Sequence, residues 1–257
     1  MESLEERVER ARRGGPAELQ LLVHDPAVEV LEALLRNPHL SEDLLLTLLN
    51  RKNLPREILE AVAKNEELIR SQRVRAAVAR HPKTPRLVAM NLLKFLYLFD
   101  LVGVSTEPAV PVEIKRLAEE AILKRLEQLP LGQQITLARR SSARVAAALL
   151  GMGQEPVIPA ALDNPFLTEA ELVGVLHNDD LPVAVVEAIG RHPKWSLRYD
   201  VRLQLVRHPL TPLALAIAFL PDLRPADLQL IASDKRMPTT MRRYVREEAK
   251  RRLRQKP

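Results

Sequence analysis

Two hexapeptides, RHPKTP at Arg80–Pro85 and RHPLTP at Arg207–Pro212, put His81 and His208 in one setting, and RHP at Arg191–Pro193 adds His192. Histidine changes charge near neutral pH and ligates metals, so a repeated histidine invites a metal or acid–base reading. The spacing opposes it. No two histidines stand at i, i+4 with a carboxylate between them, the arrangement by which one helix face offers zinc ligands and a general base. Asn37 and Asn164 also precede a proline in the same pattern. What amide and imidazole share is hydrogen bonding beside the last carbonyls of a helix, where the dipole favours a donor. The motif reads as a helix stop followed by a helix start.

A second cluster lies in HPKWSLRYDVR, His192–Arg202, which gathers Lys194, Trp195, Arg198, Tyr199 and Arg202 around the only tryptophan. Trp195 and Tyr199 are four apart and would share a helix face. Bases could stack there while Arg198 contacts phosphate. The same rings could instead fill a gap in the core. Trp195, Arg198 and Asp200 also supply the residue types of a base-excising glycosylase, at loose spacing. Asp179-Asp180 is a carboxylate pair where the first half of the chain has Lys52-Asn53, and it reads as a helix-capping turn.

The third cluster is a charge run. Residues 235–257 hold ten Lys or Arg against Glu247 and Glu248, a net of +8 in a chain whose total is +6. The whole basic excess is therefore one C-terminal segment. Lys235, Arg236, Arg242, Arg243, Arg246, Lys250, Arg251, Arg252, Arg254 and Lys256 are its cations. Such a segment either contacts phosphate or another polyanion, or caps the array with a solvated helix.

The elements that would position these residues are helices. Apolar residues are mostly Leu, Val and Ala, aromatics are 3%, and apolar positions recur at helical spacing, as at Ile58, Leu59, Val62 and Ala63. Thr84-Pro85 and Thr211-Pro212 read as an N-cap followed by the first helical position, and Thr168 with Glu171 as a capping box. The apolar run Leu87–Val104 is interrupted by Asn91, Lys94 and Asp100, so a buried helix is expected there rather than a membrane span. The N-terminal residues lack a secretory apolar core, and a cytoplasmic location is expected. With no cysteine, disulfides and thiolate sites are excluded. There is also no Gly-rich phosphate loop or nucleophile elbow, so no cofactor and no enzyme are expected.

Shifting the chain by 127 positions exposes a repeat. Asn37–Pro85 and Asn164–Pro212 match at 17 of 49 positions without a gap, where composition alone gives about four. The expected architecture is two tandem helical modules, 1–127 and 128–257. VRAAVARHPKTPRLVAMNLL at Val74–Leu93 and, more loosely, VRLQLVRHPLTPLALAIAFL at Val201–Leu220 resemble units of the leucine-rich repeat variant family. That resemblance implies an all-α, right-handed α-solenoid similar to HEAT arrays, and a non-enzymatic scaffold for protein–protein interaction. The family's iron–sulfur members depend on cysteines, so no cluster is implied here. Nucleic-acid binding through the C-terminal cations and the Trp195 region is the alternative, with glycosylase activity behind it.

Overall fold

The computed structural model describes residues 2–234 and 237–254, and every regular element among them is a helix. None is long and apolar enough to cross a membrane. The chain divides into two compact units, Met1–Lys124 and Arg125–Pro257.

The first unit runs α1 (Leu4–Arg13), α2 (Pro16–Leu22), α3 (Val28–Leu34), α4 (Glu42–Leu49), α5 (Arg56–Lys64), α6 (Gln72–Arg80), α7 (Arg86–Leu93), α8 (Leu98–Thr106) and α9 (Val112–Leu123). Odd helices touch odd ones, α1 to α3, α3 to α5 and α7 to α9, while α4, α6 and α8 form a second row. The second unit runs α10 (Leu131–Arg140), α11 (Ala143–Gly151), α12 (Ile158–Leu162), α13 (Glu169–Val175), α14 (Val183–Arg191), α15 (Tyr199–Arg207), α16 (Leu213–Phe219), α17 (Pro225–Ser233) and α18 (Thr239–Arg254). There α10, α12 and α14 make one row, and α11, α13 and α15 the other. All helix starts of this unit except that of α12 lie 127 positions after their counterparts.

Short helices need their ends satisfied, because unpaired terminal N–H and C=O groups are a large share of their backbone. Ser3 and Glu6 form a complete capping box, and Ser41, Ser71 and Thr168 each accept a hydrogen bond from the third residue onward. For Thr168 only this half of the expected box is described. The prolines sit one position earlier than expected. Pro85 and Pro212 are themselves the N-caps of α7 and α16, as are Pro55, Pro111, Pro130 and Pro182 of their helices. Proline suits an N-cap because its φ is already right and its missing N–H is not needed there. Thr84, just outside α7, donates its hydroxyl to the Val78 carbonyl.

The run Leu87–Val104 is not one buried helix. It breaks at Lys94–Tyr97 between α7 and α8, and Leu87, Phe95, Tyr97 and Phe99 are exposed. Elsewhere the apolar faces close onto each other: Leu31, Ile58, Leu59 and Val78 in the first unit are fully buried, as are Val185, Val186 and Leu205 in the second. Burial of each such side chain contributes about 1.5–3 kcal/mol.

Candidate functional site

The histidines are structural, by a route different from the one expected. His81 is the C-cap residue of α6, but its ring does not turn back onto α6. Nδ1 accepts from the Lys83 N–H at 3.1 Å, which makes the ring the Nε2–H tautomer, and Nε2 donates to the Arg51 carbonyl at 2.9 Å. His208 repeats both bonds, to the Leu210 N–H and the Asn178 carbonyl. His192 accepts from the Lys194 N–H and reaches the Asp163 carboxylate. Asn37 bridges in the same two directions, with Oδ1 accepting from the His39 N–H and Nδ2 donating to the Ala11 and Gly14 carbonyls. Asn164 does so with Phe166, Ala138 and Ser141. Imidazole and carboxamide are interchangeable here because each offers an acceptor to the residue two ahead and a donor to an earlier helix end. Burial lowers the His81 pKa below its ordinary value of 6.5, which suits the neutral tautomer.

The Trp195 cluster is likewise taken up by packing. Trp195 is 2% exposed and donates Nε1–H to the Leu162 carbonyl at 2.8 Å. It lies in the turn before α15, so it shares no helix face with Tyr199, and its ring is not open to a base. The Tyr199 hydroxyl donates to Asp227 and accepts from the Arg224 N–H. Desolvation, and then the bond to Asp227, raise its pKa. Arg202 donates to the Ser196 carbonyl and pairs with Asp222 at 2.9 Å. Lys194 and Arg198 stay exposed, with the Lys194 ammonium 3.9 Å from the Trp195 ring centre. Asp200 is exposed too. The sequence held a signal for this outcome: Leu68, apolar, stands at the position equivalent to Trp195.

On α18 the cations divide. Arg252 donates to the Leu220 carbonyl at 2.6 Å and to that of Leu223, and pairs with Glu248 at 2.9 Å. Arg251 pairs with the same Glu248. Arg242, Arg243, Arg246 and Lys250 lie on one stripe, within about 100° of the helix circumference, although Arg242 is half-buried and Arg246 also donates to the Ala232 carbonyl at 3.4 Å. Arg243 reaches Glu247 only at 3.9 Å, and Lys250 makes no ion pair among the described residues. Lys235, Arg236, Lys256 and the Arg254 side chain lie outside the described residues.

The feature no sequence motif announced is an open cleft of about 530 Å³ along the α4–α6–α8 row. Its charged lining is Lys52, Arg73, Arg80, Asp100 and Glu107, over Leu46, Leu49, Ala76 and Ala77. Arg73 reaches out to Glu42 and Asp43 at 2.9 and 3.1 Å. Arg80 lies across Gly103, where a Cβ would overlap its guanidinium, and meets Asp100 at 3.5 Å. Gln72 steadies the other oxygen of Asp100 at 3.0 Å.

A smaller cleft of about 280 Å³ occurs in the second unit, and all eight of its lining residues are the first cleft's positions plus 127. Its charges differ. Asp179 stands for Lys52, and Asp200, the sequence equivalent of Arg73, is not part of its lining. Leu230 replaces Gly103, and Arg207, the counterpart of Arg80, makes no ion pair among the described residues. The one hint in the sequence is the contrast between Lys52-Asn53 and Asp179-Asp180, which by itself reads as a capping turn. In that turn the Asp180 N–H donates to the Asn178 side chain, while the N-cap of α14 is Pro182 and takes no side-chain bond. Among the described residues no group of three or more His, Asp or Glu is placed to hold a metal.

Comparison with protein-family models, with curated proteins and with solved structures finds no match for this chain.

Proposed function

We propose that the chain is a cytoplasmic, non-enzymatic helical-repeat scaffold that docks protein partners along the α4–α6–α8 row and its counterpart. The observation that carries this reading is the recurrence of one cleft, on equivalent helices, with its charges changed. A frame that stays constant while its lining varies is how repeat proteins alter what they bind. Each unit is read as a short right-handed α-solenoid of the leucine-rich repeat variant kind, and the two units as tandem copies. The 127-residue offset of helix starts and the paired Asn and His hydrogen bonds support the duplication. Affinity capture with the whole chain and with Lys52→Glu/Arg73→Glu tests the docking surface. Proteins retained by the parent and lost by the variant are expected; identical retained sets would remove the cleft from the proposal.

The stripe on α18 favours a second reading, polyanion binding, without help from Trp195. If it holds, duplex DNA retention weakens steeply with salt, by about 0.9 in the log–log slope per phosphate neutralised. Replacing Arg242, Arg243, Arg246 and Lys250 with Gln then abolishes retention without loss of stability. A parent protein that passes DNA at low salt ends this reading. The glycosylase reading loses its aromatic group, because Trp195 is committed to the core.

A further inference from the structure

The exposed tip between α7 and α8 carries an inference independent of the clefts. The chain has eight aromatic residues, and three of them, Phe95, Tyr97 and Phe99, fall within five positions and are 63%, 70% and 46% exposed. Leu87, near the start of α7 and 74% exposed, adds to the apolar surface of this segment. Leu96 between the rings is buried at 2%. Phe95 lies in the turn that ends α7 and Tyr97 is the N-cap of α8, so the buried Leu96 anchors the connection between two rings that face solvent. The scaffold does not require these rings, since the equivalent positions in the second unit are Asp222, Arg224 and Ala226, with Ala214 in place of Leu87.

The charge of the segment that carries the tip points to what it meets, although α9, packed on α7 and α8, bears Glu113, Glu119 and Glu120. From Leu68 to Phe99 there is no acidic residue and there are seven basic ones. Arg73, Arg75, Arg80 and Lys83 are engaged within the unit. Arg86 and Lys94, at the two ends of α7 beside Leu87 and Phe95, are exposed and make no ion pair among the described residues. Asp100, the nearest carboxylate in sequence, is held by Arg80 and Gln72. An apolar aromatic tip that projects into solvent, flanked by free cations, matches the aromatic-and-basic composition of segments that settle into the headgroup boundary of a bilayer. A protein pocket for three adjacent projecting rings would have to be unusually deep, whereas lipid deforms around them.

We propose that the α7–α8 tip is a shallow membrane-surface anchor for anionic lipid, with Phe95, Tyr97 and Phe99 entering the interface and Lys94 and Arg86 at the headgroups. Flotation of the full chain with phosphatidylcholine vesicles, with and without phosphatidylserine, tests it. The parent is expected to float with the anionic vesicles and poorly with the neutral ones. Phe95→Ser/Tyr97→Ser, which leaves charge unchanged, is expected to lower the bound fraction about tenfold or more. Arg86→Glu/Lys94→Glu lowers binding to anionic vesicles several-fold. Unchanged far-ultraviolet circular dichroism, expected for exposed positions, checks the fold of both. Failure of the parent to float overturns the proposal. So does flotation of the serine variant at the parent level, which would assign lipid binding to α18. A parent that self-associates through the tip, with vesicle binding indifferent to these residues, would make the tip a contact between copies and also overturn it. None of these outcomes bears on partner capture by the clefts.

Discussion

Set unit against unit, the same helices treat aromatic and charged residues in opposite ways. The second unit draws most of its aromatics in, with Trp195 sealed under Leu162 and Tyr199 tied to Asp227, and leaves Phe166 exposed. The first leaves Phe95, Tyr97 and Phe99 in solvent. Gly103 lets Arg80 lie down to meet Asp100, and the larger cleft opens beside that pair; at the matching place stands Leu230, the tyrosine holds the aspartate, and the cleft is about half the volume. The Asn and His bridges, by contrast, are shared nearly atom for atom, as are the caps at Ser41 and Thr168 and at Pro85 and Pro212. The aromatic and cleft differences lie in side chains that these shared bridges do not need, which is where partner chemistry can diverge without cost to the fold.

The largest test of this contrast is at Trp195. Trp195→Ala should destabilise the second unit by about 3–5 kcal/mol, as for other buried tryptophans, whereas Leu68→Ala, at the half-buried equivalent, should lose about 1 kcal/mol. Denaturant unfolding of each variant measures both; equal losses would mean the two positions are packed alike. Next is α18. Arg252→Gln removes charged donors from two carbonyls and should lower stability by about 1.5–3 kcal/mol, while Lys250→Gln should stay within about 0.5 kcal/mol. A silent Arg252 would mean that its bonds to the Leu220 and Leu223 carbonyls do not hold α18 in place.

His81→Leu should lose about 1–3 kcal/mol by leaving the Lys83 N–H and the Arg51 carbonyl unpaired, and His81→Asn much less, because a carboxamide offers both an acceptor and a donor, as Asn37 and Asn164 do. The pH dependence has a definite sign. Burial lowers the His81 pKa, so the unfolded chain binds its proton first, and the stability held above pH 6.5 falls as pH drops toward the lowered value. His81→Asn should flatten that fall in thermal melts between about pH 7.5 and 5, the range set by the ordinary histidine pKa. The smallest effect belongs to Gly103→Leu, which makes the first unit resemble the second there. The overlap is with the far end of a flexible side chain, so about 1 kcal/mol or less is expected. A double-mutant cycle on Arg80 and Asp100 should then show their coupling vanish; persistent coupling would mean the glycine is not what permits the pair.

Helix class and register are legible in the sequence because they are local: a hydroxyl or proline at many starts, an Asn or His before Pro at five stops, apolar residues three and four apart between. Even so, Pro85 and Pro212 prove to be caps rather than first residues, a shift of one position that spacing alone cannot see. The histidine role is half legible. Substitution by Asn indicates hydrogen bonding, but which carbonyl accepts depends on a helix some 30 residues earlier. The cleft is not legible at all, since its lining spans Leu46 to Ala109 and hinges on a glycine meeting an arginine from another helix. The exposed aromatics escape a sequence reading for a related reason. Leu87–Val104 is apolar enough to bury, and only the break at Lys94–Tyr97 decides which of its side chains face out.

The Asn and His bridges also bear on how quickly this chain finds its structure. They join residues 23 to 30 apart, and the Trp195 bond spans 33. No such link asks the polymer to close a loop longer than about an eighth of its length, the low relative contact order typical of fast-folding helical proteins. During synthesis, one rung can lock as soon as the next two helices have emerged, long before the C-terminal residues exist. A chain held by long-range pairing would have to wait for its end; this one can commit to structure while it is still being made.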